Sequence, residues 1–414
     1  MAPGTLVAID VGSSKICAAI ANTSSGRITD IVGVGHVPSR GVQKGIIIDI
    51  DDATAAIRHC IETTDGSVPR VNLALAGFGG KRVTSSNPTV SVETARRGHL
   101  VGHEAMEEAY GKVRSLPLAQ ERVPLNIVKR QWAIDHVGGI RNPLGMHGSR
   151  LDLEAHVVAS DYGYVENLSV CLERAGIPVT PGSLVATPLA AAEAALEPED
   201  RERGVILADT GGGTTGIAVF RDGSIWHTSI LPVGGRNITN DLAVALSIPF
   251  SSAEDLKVKC GRLYPEEANE TEMELIRKHG TTPEEISYII RARMEEIIRM
   301  VVSKSPYVPN SMVITGGTAN LPGIDRFACE VLGFQVRIGI PVALPEGGQA
   351  LNDPAFAVTA GLLQWGAEMT LASNGHAYGE GGSVSFISGL QSTLASFWNA
   401  GWRPRISFRG PRSE

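Results

Sequence analysis

Apolar and polar positions along the chain fall into short blocks of the kind that strands make. Leu6-Val7-Ala8-Ile9 is an unbroken apolar run ending on Asp10, Val11-Gly12-Ser13-Ser14-Lys15 interrupts it, and a second run follows from Ile16 to Ala21. The lengths and the intervening glycine predict strand, tight turn, strand. About two hundred residues later the pattern returns as Gly204-Val205-Ile206-Leu207-Ala208-Asp209, then Thr210-Gly211-Gly212-Gly213-Thr214-Thr215-Gly216, then Ile217-Ala218-Val219-Phe220. Both copies close their first strand with Asp-x-Gly, so the chain carries an internal repeat. A further strand, Ser311 to Thr315, runs into Gly316-Gly317-Thr318. Ile290 to Met300 alternates charge along an amphipathic helix with a packed face and a solvated face.

After Leu371 the apolar periodicity stops. Ser373 to Ser383 is glycine-rich and polar, a flexible linker whose eleven residues reach roughly 18 Å root-mean-square. Beyond it Phe386, Ile387, Leu390, Leu394, Phe397 and Trp398 recur at spacings of three and four, which puts them within an arc of about 120° on a helix. Ser385, Ser388, Gly389, Ser392, Thr393 and Ser396 occupy the opposite face. Such a stripe on a tether suits a bilayer interface, with Arg403, Arg405, Arg409 and Arg412 placed to meet anionic headgroups. Docking on the protein's own core or in a partner groove is the alternative.

With 414 residues the chain has room for two to four domains. Hydrophobic residues at 43% and charged residues at 20% exclude wholesale disorder and fibrous order. Lys+Arg number 37 against 44 Asp+Glu, a net charge of -7, so the basic field that phosphate neutralisation needs is missing and no nucleic-acid partner is expected. Five scattered cysteines without a C-x-x-C spacing argue against disulfides and structural zinc and for a reducing compartment. Met1-Ala2-Pro3-Gly4 lacks the features of a leader, and no apolar stretch approaches the ~18 residues of a spanning helix, so neither secretion nor a bilayer crossing is expected.

The two turns are candidate phosphate clamps, because glycine lets backbone N–H groups approach a ligand and neighbouring hydroxyls converge on its oxygens. The first would use Gly12, Ser13, Ser14 and Lys15, the second Gly211, Gly212, Gly213, Thr214 and Thr215, with Gly316, Gly317 and Thr318 beside the nucleoside. A lone copy would read as an ordinary tight turn; two with matching flanks reverse that reading. Neither has the P-loop or Rossmann context. Asp10 and Asp209 would then face one cleft, where they could hold the waters of a phosphate-bound Mg²⁺ or position an attacking water. Glu254 and Lys257 share a face of a helix opening at Ala253, with Ser251 or Ser252 as its cap. His99 and His103 stand four apart but lack the glutamate of H-E-x-x-H, and read as solvated or structural.

Two α/β halves that each open on a hairpin phosphate loop resemble the actin, Hsp70 and sugar-kinase ATPase superfamily. Thr187 to Ala194 and Ala355 to Leu363 resemble its connecting helices. Gly41-Val42-Gln43-Lys44-Gly45-Ile46-Ile47-Ile48-Asp49 and Asn142 to Leu151 narrow the resemblance to the bacterial FtsA cell-division family. The resemblance implies an actin-like fold around a nucleotide cleft, organised as subdomain 1A (1–84, 163–198 and 355–370), an inserted subdomain 1C (85–162), subdomain 2A (199–228 and 304–354), subdomain 2B (229–303), a linker (371–383) and a membrane-targeting amphipathic tail (384–414). It further implies ATP and Mg²⁺ as ligands, Glu254 and Lys257 on the ribose and adenine, polymerisation, and location on the cytoplasmic face of the inner membrane at mid-cell. The implied partners are other division proteins and the FtsZ C-terminal tail, the latter on subdomain 2B near Arg291 or Arg299. Val185 to Ala190 offers no carboxamide or acid to orient water, so a slow ATPase at most is expected. The alternatives are a PilM-like pilus-assembly relative and a small-molecule kinase of the superfamily; a chaperone would need a further peptide-binding domain.

Overall fold

Strand Gly4–Val11 pairs antiparallel with Lys15–Ser24, which pairs with Arg27–Pro38; on its other side Gly4–Val11 runs parallel to Leu73–Phe78, and that strand to Leu184–Ala186. The second hairpin builds the same sheet again. Val205–Thr210 pairs with Thr215–Arg221 and that with Ser224–Leu231, while Ser311–Thr315 and Gln335–Ile338 lie parallel on the other flank. Asp10 stands opposite Cys17 and beside Gly77, and Asp209 stands opposite Gly216 and beside Thr315. The repeat is thus a repeat of whole-sheet topology, and its central strands are apolar on both faces because both faces are covered. The chain is described by a computed structural model over residues 4–64, 71–94, 99–119, 121–180, 182–342 and 344–373.

Helices Thr187–Ala195 and Ala357–Ser373 are apolar around their circumference, the pattern of a helix with no solvent face. Pro188 pre-sets the first turn of the shorter one. This helix touches both sheets, and Pro188 Cγ would stand 2.9 Å from a Cβ on Gly216. The two helices cross so closely that a Cβ on Gly361 would collide with the Ala190 carbonyl oxygen.

Between the first half's strands the chain forms a separate antiparallel sheet. Val137–Ile140, Arg122–Ile134, Arg150–Asp161 and Thr84–Ser86 lie in that order, Thr89–Glu93 also pairs with Arg150–Asp161, and helix His103–Arg114 covers the sheet. Tyr110 meets Trp132 edge-on at 5.6 Å in its core. This unit is tied to both halves. Asn126 donates to the Leu184 carbonyl and accepts from Ala186 N at 2.9 Å, while buried His156 lies 2.6 Å from Asn87 Oδ1 and 2.9 Å from Thr228 Oγ1. Burial, with the Arg130 charge beside it, pushes the His156 imidazole down to about 3, so it stays neutral.

The second half carries a helical lobe of Gly235–Ala245, Phe250–Cys260, Glu270–Lys278 and Pro283–Ser303. The last contains the expected amphipathic helix and starts where Thr282 Oγ1 accepts from Glu285 N at 3.2 Å. The helix bearing Glu254 begins earlier than expected, at Phe250 after Pro249. Ser251 and Ser252 therefore lie in its first turn rather than capping it. The amphipathic stripe Phe386 to Trp398 and residues 374–383 lie outside the described residues, and helix Ala357–Ser373 overlaps the first residues of the stretch read as linker. Among the described residues no helix is long and apolar enough to cross a membrane.

Gly361→Ala should lower unfolding stability by about 2–3 kcal/mol, since the obstacle is backbone that must shift. Gly111→Ala, in a helix with nothing within 4 Å of the new methyl, should instead raise it by about 0.5–1 kcal/mol. Urea denaturation of the two variants checks both signs.

Candidate functional site

The two turns close alike: Gly12 N donates to Lys15 O at 3.1 Å, and Gly211 N to Thr214 O at 2.9 Å. They meet tip to tip. A Cβ on Gly212 would collide with Ser14 Oγ, and one on Gly213 would lie 2.7 Å from Ser13 Oγ, so only glycine permits the approach. The structure therefore brings Gly12, Ser13, Ser14 and Lys15 against Gly211, Gly212, Gly213 and Thr214 across one cleft. Thr215 belongs to the next strand, with its hydroxyl committed to Val233 O at 2.8 Å.

The third glycine element joins the same place. Gly316 has φ +83° and a Cβ there would stand 2.6 Å from Asp209 Oδ1, while a Cβ on Gly317 would meet only Ala355 Cβ, at 3.8 Å, and Thr318 Oγ1 donates to Gly211 O at 3.2 Å. Lys257 Nζ lies 2.8 Å from Glu254 Oε2, 2.8 Å from Thr239 Oγ1 and 3.3 Å from Gly235 O. Thr239 also donates to Glu254. Gly235 N donates in turn to Gly211 O at 2.9 Å and Arg236 N to Gly212 O at 2.8 Å. Glu254 and Lys257 are thus an ion pair, and Lys257 faces the same side of the second turn as Thr318.

Gly234, Gly235, Arg236 and Thr239 were not among the expected site residues. The signal is visible in the order of elements: a glycine pair separated from the end of a strand by two residues and opening a helix, where a Cβ on Gly234 would collide with Gly211 O. Arg291 and Arg299 lie on the helical lobe instead. Arg291 donates to Leu263 O at 3.2 Å and packs over the Phe327 ring at 4.7 Å, and Arg299 pairs with Glu295 at 2.8 Å.

The cleft floor is electrostatically loaded. Burial pushes Asp10 up to about 6, against the pull of Lys15; burial and the neighbouring Asp10 charge push Asp209 up to about 7. Burial lowers the Lys15 pKa, and Asp10, Asp353 and Asp209 oppose that shift. Lys15 Nζ sits 3.5 Å from the Phe356 ring centroid, and Asp353 is fixed by Asn320 at 3.0 Å and by Ala355 N at 2.7 Å. Among the described residues no three metal-ligating side chains form a group. Two facing carboxylates suit Mg²⁺ that arrives on phosphates and keeps its waters, the way this ion is usually bound, rather than a dedicated protein cage.

The family model described as "Cell division protein FtsA" matches residues 206–361, and that of the "SHS2 domain inserted in FTSA" matches 80–159. Cell division protein FtsA of Bacillus subtilis is 33% identical over 382 residues, covering 87% of this chain and 82% of that protein. FtsA of Borreliella burgdorferi is 31% identical over 381 residues, 88% of this chain and 91% of that protein. The chain belongs to the FtsA family. It is an actin-like cell-division protein, and solved structures bear out the fold of this FtsA-family chain. A PilM-PilN type IV pilus biogenesis complex superposes with TM-score 0.59 at 18% identity, covering 88% of this chain and 98% of that one. MreB5 of Spiroplasma citri bound to ADP superposes with TM-score 0.52 at 14% identity, covering 90% and 98%.

In the FtsA-family cleft the raised carboxylates make ligand-free stability pH-dependent. Between the unfolded carboxylate value near 4 and the folded values of about 6 and 7 the folded state binds more protons, so these groups lower stability as pH rises through that window. Asp209→Asn removes the later of the two. Without nucleotide and with a chelator, it should be more stable than the parent by ~1–2 kcal/mol at pH 8 and indistinguishable from it near pH 3.5. Denaturant midpoints across pH measure the difference.

Proposed function

We propose that this FtsA-family protein binds ATP with Mg²⁺ between the two turns, polymerises on the cytoplasmic face of the inner membrane at mid-cell, and ties the FtsZ ring to that membrane. The observation that carries the reading is the tip-to-tip approach of two equivalent glycine turns with Asp10 and Asp209 behind them. The MreB5 structures of the same fold are bound to ADP and to AMPPNP, which supports a nucleotide in this cleft. Turn N–H groups, Ser13, Ser14, Thr214 and Lys15 bind phosphate, and Glu254, Lys257, Gly316, Gly317 and Thr318 border the nucleoside. Magnesium supplies charge neutralisation to the phosphates, and Asp10 and Asp209 orient its waters.

Each sheet holds one wall of the site, so the nucleotide acts as a structural ligand that joins the halves and biases the subunit toward assembly. Hydrolysis is slow, because the segment Val185 to Ala190 presents no acid or carboxamide. The tail stripe Phe386, Ile387, Leu390, Leu394, Phe397 and Trp398 enters the lipid interface. Its polar face has no charge, so single-tail binding is modest and a polymer gains avidity by ~10²–10⁴. The FtsZ C-terminal tail meets the helical lobe, where an acidic peptide competes with Glu295 for the exposed Arg299 and with Glu330 for Arg291.

Co-sedimentation with anionic liposomes tests the reading. The full chain should pellet with vesicles and more so with ATP, and a chain truncated before Gly381 should stay in the supernatant. Equal pelleting of both chains, or no effect of ATP, contradicts the tether.

A further inference from the structure

One strained segment abuts the cleft and was not among its expected residues. Val42–Gln43 pairs with Ile46–Ile47 in a two-residue hairpin whose turn, Lys44 at φ +49° and Gly45 at φ +70°, needs positive φ at both positions. Glycine or asparagine is the ordinary occupant of the first position; lysine is not. The hairpin is fixed in place. Gly41 O accepts from Ile48 N at 2.8 Å, and Gly45 N donates to Ser13 Oγ at 2.9 Å. A Cβ on Gly213 would stand 3.3 Å from Lys44 N. The Lys44–Gly45 turn thus belongs to the first half yet lies against the turns of both.

The second turn also has a direction. Gly211 holds the end beside Thr318, Gly235 and Lys257, Gly212 receives Arg236 N, and Gly213 meets Ser13 and Lys44. A nucleotide with its nucleoside at Thr318 therefore puts its last phosphate nearest Lys44. Of the other cations beside the turns, Lys15 stands over the Phe356 ring at 3.5 Å, Lys257 pairs with Glu254 at 2.8 Å, and Arg236 is turned over the Phe250 ring at 5.2 Å. The Lys44 side chain is exposed, and its ammonium has no ion-pair or hydrogen-bond partner among the described residues.

We propose that Lys44 senses the terminal phosphate: its ammonium pairs with the phosphate present in a nucleoside triphosphate and absent from a diphosphate, and it tightens the contact between the two halves only in the triphosphate state. This rests on the nucleotide reading of the cleft. A non-glycine residue at positive φ persists where its surroundings hold it, and such positions cluster at ligand clamps; an ammonium is a point-charge partner suited to phosphate.

The test compares AMPPNP and ADP binding with Mg²⁺ for the full-length parent, Lys44→Asn and Lys44→Arg, by calorimetry. Asparagine tolerates the left-handed backbone, so K44N keeps the turn. It should weaken AMPPNP by at least about tenfold and leave ADP within about twofold, while K44R stays near the parent. Equal weakening of both nucleotides, or no change in either, overturns the proposal. If K44N fails to fold, Lys44→Gly, which relieves the strain, carries the same comparison. A parent that binds neither nucleotide sinks the cleft reading itself and the proposal with it.

Discussion

Everything in this molecule is arranged around two like charges held close to one another. Asp10 and Asp209 end equivalent strands of two sheets and face one crevice, where desolvation disfavours both ionised forms and the Asp10 charge adds to the cost at Asp209. Lys15 offsets part of that cost. A fold that keeps both carboxylates there stores an electrostatic demand for positive charge, which is the demand the proposed phosphate-borne Mg²⁺ would meet. The glycines follow from the same constraint, since Gly212, Gly213, Gly234 and Gly316 each occupy a place where a Cβ would strike the opposing turn, a carbonyl or Asp209.

The rest of the architecture sets how the two walls sit. The apolar helix Thr187–Ala195 packs on both sheets and is crossed by Ala357–Ser373 at the Gly361–Ala190 contact, so the two halves share one buried helical layer. Outside the cleft the inserted sheet makes a second bridge. Asn126 holds Leu184 and Ala186, whereas His156, Asn87 and Ser85 hold the edge strand Ser224–Leu231 through Thr228 and Trp226. A change of angle between the halves would have to carry the inserted unit with it or break those bonds.

Much of this was legible in the residues, for local reasons. Apolar runs interrupted by Asp-x-Gly specify a hairpin from within a dozen positions, and its recurrence announced the duplication. The Glu254–Lys257 spacing marked a helix face in the same way. What stayed hidden depends on long separations. Thr239 completes the Lys257 cluster from another helix, Gly234 and Gly235 acquire meaning only against Gly211, and Lys44 only against Ser13 and Gly213. The helix start at Phe250 was hidden for a local reason: Ser251 and Ser252 look like caps, yet Pro249 already makes the break.

Calorimetric titration of the full chain with ATP, once with excess Mg²⁺ and once with chelator, addresses the facing carboxylates most directly. The account predicts saturable uptake of one nucleotide per chain with Mg²⁺, and affinity weaker by about tenfold or more once the ion is removed. Uptake that ignores Mg²⁺, or no saturable binding in either condition, would contradict it.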